Sequence, residues 1–433
     1  MNREILRLAI PNIIANLAVP ILGIIELGIT GHLGSELYIG AIGVGSMFFN
    51  FLFWMFAFLR MSMSGLTAQA FGSGNKSETG LMLYRGAFLG LCFGLILITL
   101  QKPLAAFVFH FLKSSPEIEL LSAQYFYIRI WSAPATLMLY ALMGWFIGMQ
   151  NARIPMWISI TSSIMALGFN LWFVYGLGMK SDGIALGTLL SQYGGLLLAI
   201  ILLWINYKHV IKDTKINFKA LTQSAGRFFS VNRDIFVRML CIIFVFSFFT
   251  LQSANTDNFT LAVNTILIQF LFFFSFFVDG FAYAGEALVG RFTGAADYAS
   301  LKKAVKGLFL WGIVIVIPFA LAYFLFSEQI LALITNRAEV LAAAKPYLPW
   351  IKWIPIITFA AYIWDGIYIG AAASRAMRNS MLISTLAIFL PVYLIFSHSI
   401  GNHALWLALL LFMVSRGILL SWMAPKTIFQ HKK

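Results

Sequence analysis

The chain has 433 residues, 61% of them hydrophobic and only 11% charged, with a mean hydropathy of +0.87. Soluble domains run nearer one quarter charged, so a water-soluble globule is excluded and an integral membrane protein is implied. The formal charge of +14 does not indicate a nucleic-acid partner, because the basic residues sit mostly in short loops between apolar runs, where they orient membrane helices.

A hydrocarbon core of about 30 Å takes roughly 20 apolar residues per helix. In chain order, such runs fall near residues 8–31, 38–71, 81–101, 119–148, 155–178, 183–207, 234–255, 258–290, 303–326, 346–374, 378–398 and 403–424. The first, within "MNREILRLAIPNIIANLAVP", lacks a small-residue cleavage site and outgrows a signal-peptide core, so it reads as a retained span. Pro116 precedes the fourth run, Pro155 opens the fifth, and "GLGMKSDG" (176–183) turns between the fifth and sixth. The expected fold class is an all-α integral membrane protein of twelve transmembrane helices.

Charge sets the expected topology. With both termini cytoplasmic, the inner loops collect Arg3, Arg7, Lys76, Arg85, Arg153, Arg238, Arg291, Arg375, Arg378 and the lysines of the linker and C-terminus, with Arg416 near that face. The opposite side holds only Lys102, Lys113, Lys180, Arg337, Lys345 and Lys352, the asymmetry that the positive-inside rule requires. Cys92 and Cys241 both lie in apolar runs, which indicates neither a disulfide framework nor a metal cluster.

The halves echo one another at a shift of about 220 residues. "FGSGN" (71–75) answers "TGAAD" (293–297), and "GWFIGMQNAR" (144–153) answers "GIYIGAAASR" (366–375). An even number of spans per half makes the repeats parallel, an arrangement in which transporters place their sites near the midplane and rock one half on the other. The expected organisation is an N-terminal lobe (1–207), a cytoplasmic linker (208–231) and a C-terminal lobe (232–433). The linker reads as a basic loop lying on anionic lipid.

Charges at depth in a bilayer cost at least a few kcal/mol and usually meet a partner or a wet cavity. Six stand within spans: Glu26, Arg60, Arg129, Asp279, Glu286 and Asp365. At a rise of about 1.5 Å per residue, Asp279 and Arg60 lie roughly 18 Å from the inner surface and Asp365 roughly 15 Å. Asp279, Tyr283 and Glu286 have the spacing of one helical face, with Gly280 and Gly285 beside it to admit a neighbouring backbone. Glu286 is expected to pair with Arg291 at the inner surface, and Arg129 to snorkel outward. Pro20 lacks an amide proton and clashes with the carbonyl of Asn16, so the first helix should kink there. Glu26, six residues on, is a candidate proton carrier, since desolvation favours the neutral form of a carboxylate. It could equally reach the outer headgroups. Asn12, Asn16, Gln69, Asn170, Thr188, Gln192, Gln252, Asn255, Asn264 and Gln269 are supporting polar groups, many of which merely join helices. Phenylalanines beside carboxylates would suit lipophilic cations. No HExxH, GxSxG or Walker A pattern is present and the six histidines are scattered, so neither an enzyme, a metal site nor a cofactor is expected, and transport would draw on an ion gradient.

The chain resembles the multidrug and toxic compound extrusion (MATE) transporters, in their DinF-type branch. The matching stretches are "GHLGSELYIGAIGVG" (31–45), "FLRMSMSGLTAQAFG" (58–72), "NRDIFVR" (232–238), "LAVNTILIQF" (261–270), "VDGFAYAGEA" (278–287) and "WDGIYIGAAASRAMRNSM" (364–381). The resemblance implies a pair of six-helix lobes in the inner membrane, exporting organic and often cationic compounds in exchange for H⁺ or Na⁺. It implies ion coupling at Glu26 and Pro20. Asn170 and Thr188 are the supporting candidates for that site, and Asp279, Tyr283, Glu286, Asp365, Arg60 and Gln269 are the candidates for a substrate cavity. A monomer whose partners are the bilayer and small organic molecules is expected. The chain departs from the family pattern, with Glu26 and Asn170 where Asp is usual and Ala166 where Asn is. It also has no acid in the seventh span between Asp234 and Asp257, which leaves the C-lobe sodium site of the NorM-type branch incomplete. A thinned N-lobe carboxylate set favours H⁺, which needs one titratable group, over Na⁺, which needs several oxygens. The alternatives are a Na⁺-coupled exporter of the same fold and a lipid-linked saccharide flippase, which would want a more cationic cavity.

Overall fold

The computed structural model describes residues 1–31, 36–111, 115–214 and 225–429. Among them twelve helices are long and apolar enough to cross a membrane: α1 (Asn2–Gly31), α2 (Leu37–Gly72), α3 (Lys76–Thr99), α4 (Pro116–Gly148), α5 (Arg153–Gly176) and α6 (Ser181–Asp213), then α7 (Gly226–Thr256), α8 (Asn258–Gly294), α9 (Tyr298–Ile334), α10 (Ala338–Gly370), α11 (Ser374–Ile400) and α12 (His403–Thr427). Each coincides with one of the apolar runs. A short helix, Gln101–Phe111, follows α3.

The irregularities have local causes. Phe56 and Ala57 bond back to the carbonyls of Phe53 and Trp54, an i−3 pattern that interrupts α2 just before Arg60. In α4 a tight turn at Ile130–Ser132 precedes Pro134, which offers no amide proton to the Ile130 carbonyl. Pro391 does the same to Ala387, inside a widened turn at Ser384–Phe389 of α11; α5 ends in a similar turn at Trp172–Gly176. Helical backbone in α1 continues through Pro20, where a kink was expected. Tyr207 (φ −132°) interrupts α6 where its apolar run ends. Beyond it Lys208–Asp213 stay helical, a stretch with neither Gly nor Pro, and α7 resumes before Arg227. The described ends of the expected loop are therefore helix, and residues 215–224 lie outside the described residues.

The chain packs as two compact units, Met1–Ile13 with Arg227–Lys433, and Ile14–Gly226. The first 13 residues of α1 thus belong to the C-terminal unit, where Gly280 of α8 lies against Ala9 and Ile13.

Within each unit the same contacts recur at a constant offset of 222 residues (144 to 366). A Cβ on Gly144 would strike the carbonyl of Arg60, and one on Gly366 the carbonyl of Ala282. A Cβ on Gly148 would come within 2.8 Å of the Ser64 carbonyl, and one on Gly370 within 2.7 Å of that of Glu286. Asn75 accepts from the Glu78 amide at 2.9 Å, and Asp297 from the Ser300 amide at 3.0 Å. Left-handed φ appears at Gly74 (71°) and Ala296 (54°), and at Gln150 (62°) and Ala372 (50°). The parallel repeat is therefore carried by backbone geometry, and it clamps α4 to α2 and α10 to α8.

Candidate functional site

In the N-terminal unit three helices bring one carboxylate and two polar side chains together. Asn170 of α5, fully buried, donates through Nδ2 to Glu26 Oε1 of α1 at 3.2 Å. The hydroxyl of Thr188 on α6, which donates to its own helix at Ile184 (2.9 Å), stands 3.5 Å from the same oxygen. Gly187 leaves room for Asn170, since a Cβ there would overlap the amide oxygen. Glu26 is thus turned toward the buried Asn170. A groove of about 400 Å³ runs along the same two helices, lined by Ile14, Leu17, Ala18, Ile21, Leu22 and Ile25 of α1 with Ile160, Ser163, Ile164 and Leu167 of α5.

Arg129 does not snorkel. Its Nη1 donates to the Tyr125 hydroxyl at 2.9 Å, and its guanidinium lies 5.5 Å from the Phe49 ring centre and 5.7 Å from that of Tyr125. Tyr125 is fully buried, shares a hydrogen bond with Ser46 (3.1 Å) and fits against Gly45, where a Cβ would overlap its ring. The ring faces hold the cation, and its charge acts on Glu26. Arg60 and Arg129 both act on Tyr140 of α4. Arg60, grouped above with the acids of the substrate cavity, therefore lies among the residues of the unit that contains Glu26.

In the C-terminal unit Asp365 of α10 is enclosed. Its Oδ2 accepts from Arg238 Nη2 of α7 and Arg416 Nη2 of α12, and the two guanidinium side chains are only 4% and 3% exposed. Asp279, half-buried on α8, acts on Arg416, as does Tyr362, one turn before Asp365. Asp279 and Asp365, expected in the substrate cavity, thus stand beside two arginines that the sequence reading had placed at the inner face. The signal was present, since both interrupt long apolar runs, "IFVRMLCIIF" and "LLLFMVSRGILL".

Glu286 is buried and does not pair with Arg291, which reaches Glu4 at 3.0 Å. Gly370 leaves room for the Glu286 carbonyl, which brings that turn close to α10. Tyr283 is half-buried on the same face, whereas Gln269 is exposed and bonds to Thr265 of its own helix. Asn264 joins helices, as amides often do: it donates to Ser253 and Asn402 and accepts from Trp406. Asp234, fully buried, accepts from Arg378 (2.7 Å) and Ser374 (3.0 Å) and so ties α7 to the start of α11. Among the described residues no group of three or more His, Cys, Asp or Glu could hold a metal ion.

Residues 11–172 and 235–395 match the model of the MatE family. The chain is 34% identical to DNA damage-inducible protein F of Escherichia coli over 424 residues, covering 97% of this chain and 91% of the relative. It is 22% identical to a probable multidrug resistance protein NorM of Neisseria meningitidis, covering 97% and 93%. The fold matches a solved outward-facing conformation of a multidrug resistance MATE family transporter at a TM-score of 0.88, with 18% identity and 99% and 97% of the two chains covered. Twelve apolar helices, two repeated units and these relatives together place the chain in the MatE family, as a multi-pass membrane transporter and not an enzyme.

Proposed function

We propose that this transporter exports lipophilic organic compounds, cationic ones among them, in exchange for protons by alternating access. The observation that carries the reading is the meeting of Glu26 with Asn170 and Thr188. Asn170 presents a hydrogen-bond donor to the carboxylate, the Thr188 hydroxyl stands 3.5 Å away with its proton directed to Ile184, and a guanidinium acts on the carboxylate from α4. A sodium ion would want converging oxygen acceptors, whereas a proton needs only one carboxylate that can be sheltered and exposed in turn. Ionised, Glu26 accepts from α5; protonated, it loses its charge-assisted bond, worth about 1.5–3 kcal/mol, and α1 loosens from α5. The apolar groove along α1 and α5 offers a surface for a lipophilic body whose affinity changes with that contact. The names of the relatives, which speak of multidrug resistance, support the same substrate range.

In this reading the lobes 1–207 and 232–433 move about the linker 208–231, both termini are cytoplasmic, and the protein works as a monomer in the inner membrane. The test is transport by purified protein in liposomes with the pH and Na⁺ gradients imposed separately. The pH gradient alone is expected to drive transport and Glu26→Gln to abolish the response; transport driven only by Na⁺ would overturn the proposal.

A further inference from the structure

The two units share their backbone contacts at the 222-residue offset but not their buried charges. Arg238, Asp365 and Arg416 correspond at that offset to Asn16, Met143 and Gly194. The repeat therefore folds without an arginine–aspartate–arginine triad in its first copy, so the triad is not a requirement of the architecture. Burying it in the second copy is costly, since each ion loses several kcal/mol of hydration. A structural joint would not need charges, because apolar residues of similar volume usually serve as well or better.

The triad is also incompletely satisfied. Both guanidiniums converge on one oxygen, Asp365 Oδ2, and Asp365 Oδ1 has no hydrogen-bond partner among the described residues. Arg416, 2% exposed, gives its Nη1 only to the sulfur of Met413 (3.2 Å), packs over Phe412 at 5.3 Å, and has a buried Nε without a partner. A guanidinium carries five N–H donors in a planar fork suited to carboxylates, and here much of that fork is unused.

We propose that Arg238 and Arg416 form a binding site for the acidic group of an organic anion, a carboxylate or sulfonate on an apolar body, and that Asp365 is the tethered counter-ion occupying it. Asp279 is the other acid acting on Arg416, and Asp365 Oδ2 is the atom both guanidiniums share, so an acid group that takes its place meets two cations at once. The consequence is a substrate range that includes anionic or zwitterionic amphiphiles. The inference concerns binding in the C-terminal unit and is independent of proton coupling at Glu26.

The experiment is equilibrium binding to the purified full-length protein in detergent, with no gradient present. The probe is a dansyl-labelled fatty acid, read by fluorescence, with tetraphenylphosphonium as the competing cation. Asp365→Asn, which keeps the shape and an acceptor, is expected to bind the probe about tenfold more tightly than wild type or better, a gain equivalent to about 1.4 kcal/mol. Arg416→Gln and Arg238→Gln, each made in the Asp365→Asn background, should lose at least that gain, and Arg416→Lys should retain part of it; unlabelled laurate should compete and the cation should not. An Asp365→Asn protein that binds no more tightly, binding indifferent to both arginine substitutions, or displacement by the cation would each overturn the proposal.

Discussion

Asp365 holds two buried cations, and its removal should not resemble the removal of either one. Arg416→Met deletes one guanidinium at similar volume and leaves Asp365 with Arg238, so the loss is one charged hydrogen bond, about 1.5–3 kcal/mol. Asp365→Ala leaves both arginines, whose side chains are 4% and 3% exposed, without their carboxylate. Orphaning one buried charge costs about 3–5 kcal/mol, and two depend on this acid, so the expected loss lies at or above the upper end. In the double variant only Arg238 loses its bond to Asp365. It should therefore be less destabilised than the sum of the single variants, with a coupling of about 1–3 kcal/mol. Unfolding of the purified protein in mixed detergent, followed by tryptophan fluorescence, gives the cycle. Additive losses, or an Asp365→Ala protein no weaker than Arg416→Met, would refute the triad as a charge network.

The remaining predictions concern other parts of the chain. Gly144→Val and Gly366→Val push a side chain into the Arg60 and Ala282 carbonyls and should each cost about 1–3 kcal/mol or more through overpacking; Gly168→Ala, with nothing within 4 Å, should be neutral, and equal thermal stability of all three would contradict the repeat contacts. Asn170→Ala should slow proton-driven transport about tenfold, the equivalent of about 1.4 kcal/mol, and Thr188→Val by less, because its hydroxyl stands at 3.5 Å against 3.2 Å; the reverse order in a liposome assay would count against the geometry. The Ser300 hydroxyl, then its amide, hold the Asp297 carboxyl below its usual range. A depressed folded value means that the cap of α9 is complete above the ordinary carboxylate range and is lost as pH falls below that range through the lowered value, so amide exchange at the start of α9, corrected for its intrinsic pH dependence, should rise on that acid side in wild type and stay flat in Asp297→Asn.

Much of the fold was legible because the bilayer restricts the menu: a run long and apolar enough to span must be a helix, and each of the twelve was recognisable. The repeat was visible in Gly144 and Gly366 because only glycine lets two backbones approach so closely. Glu26, Asn170 and Thr188 are 144 and 162 residues apart, and no local spacing announces that they meet; the resemblance pointed to the positions of Glu26 and Asn170, and nothing in the sequence tied Thr188 to them. Arg129 was misjudged because isolated arginines near a helix end usually seek water, whereas here Tyr125 one turn earlier and Phe49 from α2 give the cation aromatic faces. Arg238 and Arg416 were misjudged for a related reason. A tally of loop charges cannot see that two arginines from distant helices converge on one aspartate, which depends on how α7, α10 and α12 pack.

The central claim is that Glu26 exchanges its proton with substrate, and proton release on binding tests it most directly. Purified protein in weakly buffered detergent near neutral pH, titrated with a saturating lipophilic cation, should release close to one proton per bound molecule, and Glu26→Gln should release none while remaining folded. Equal release from the two proteins, or none from wild type despite binding, would contradict the account.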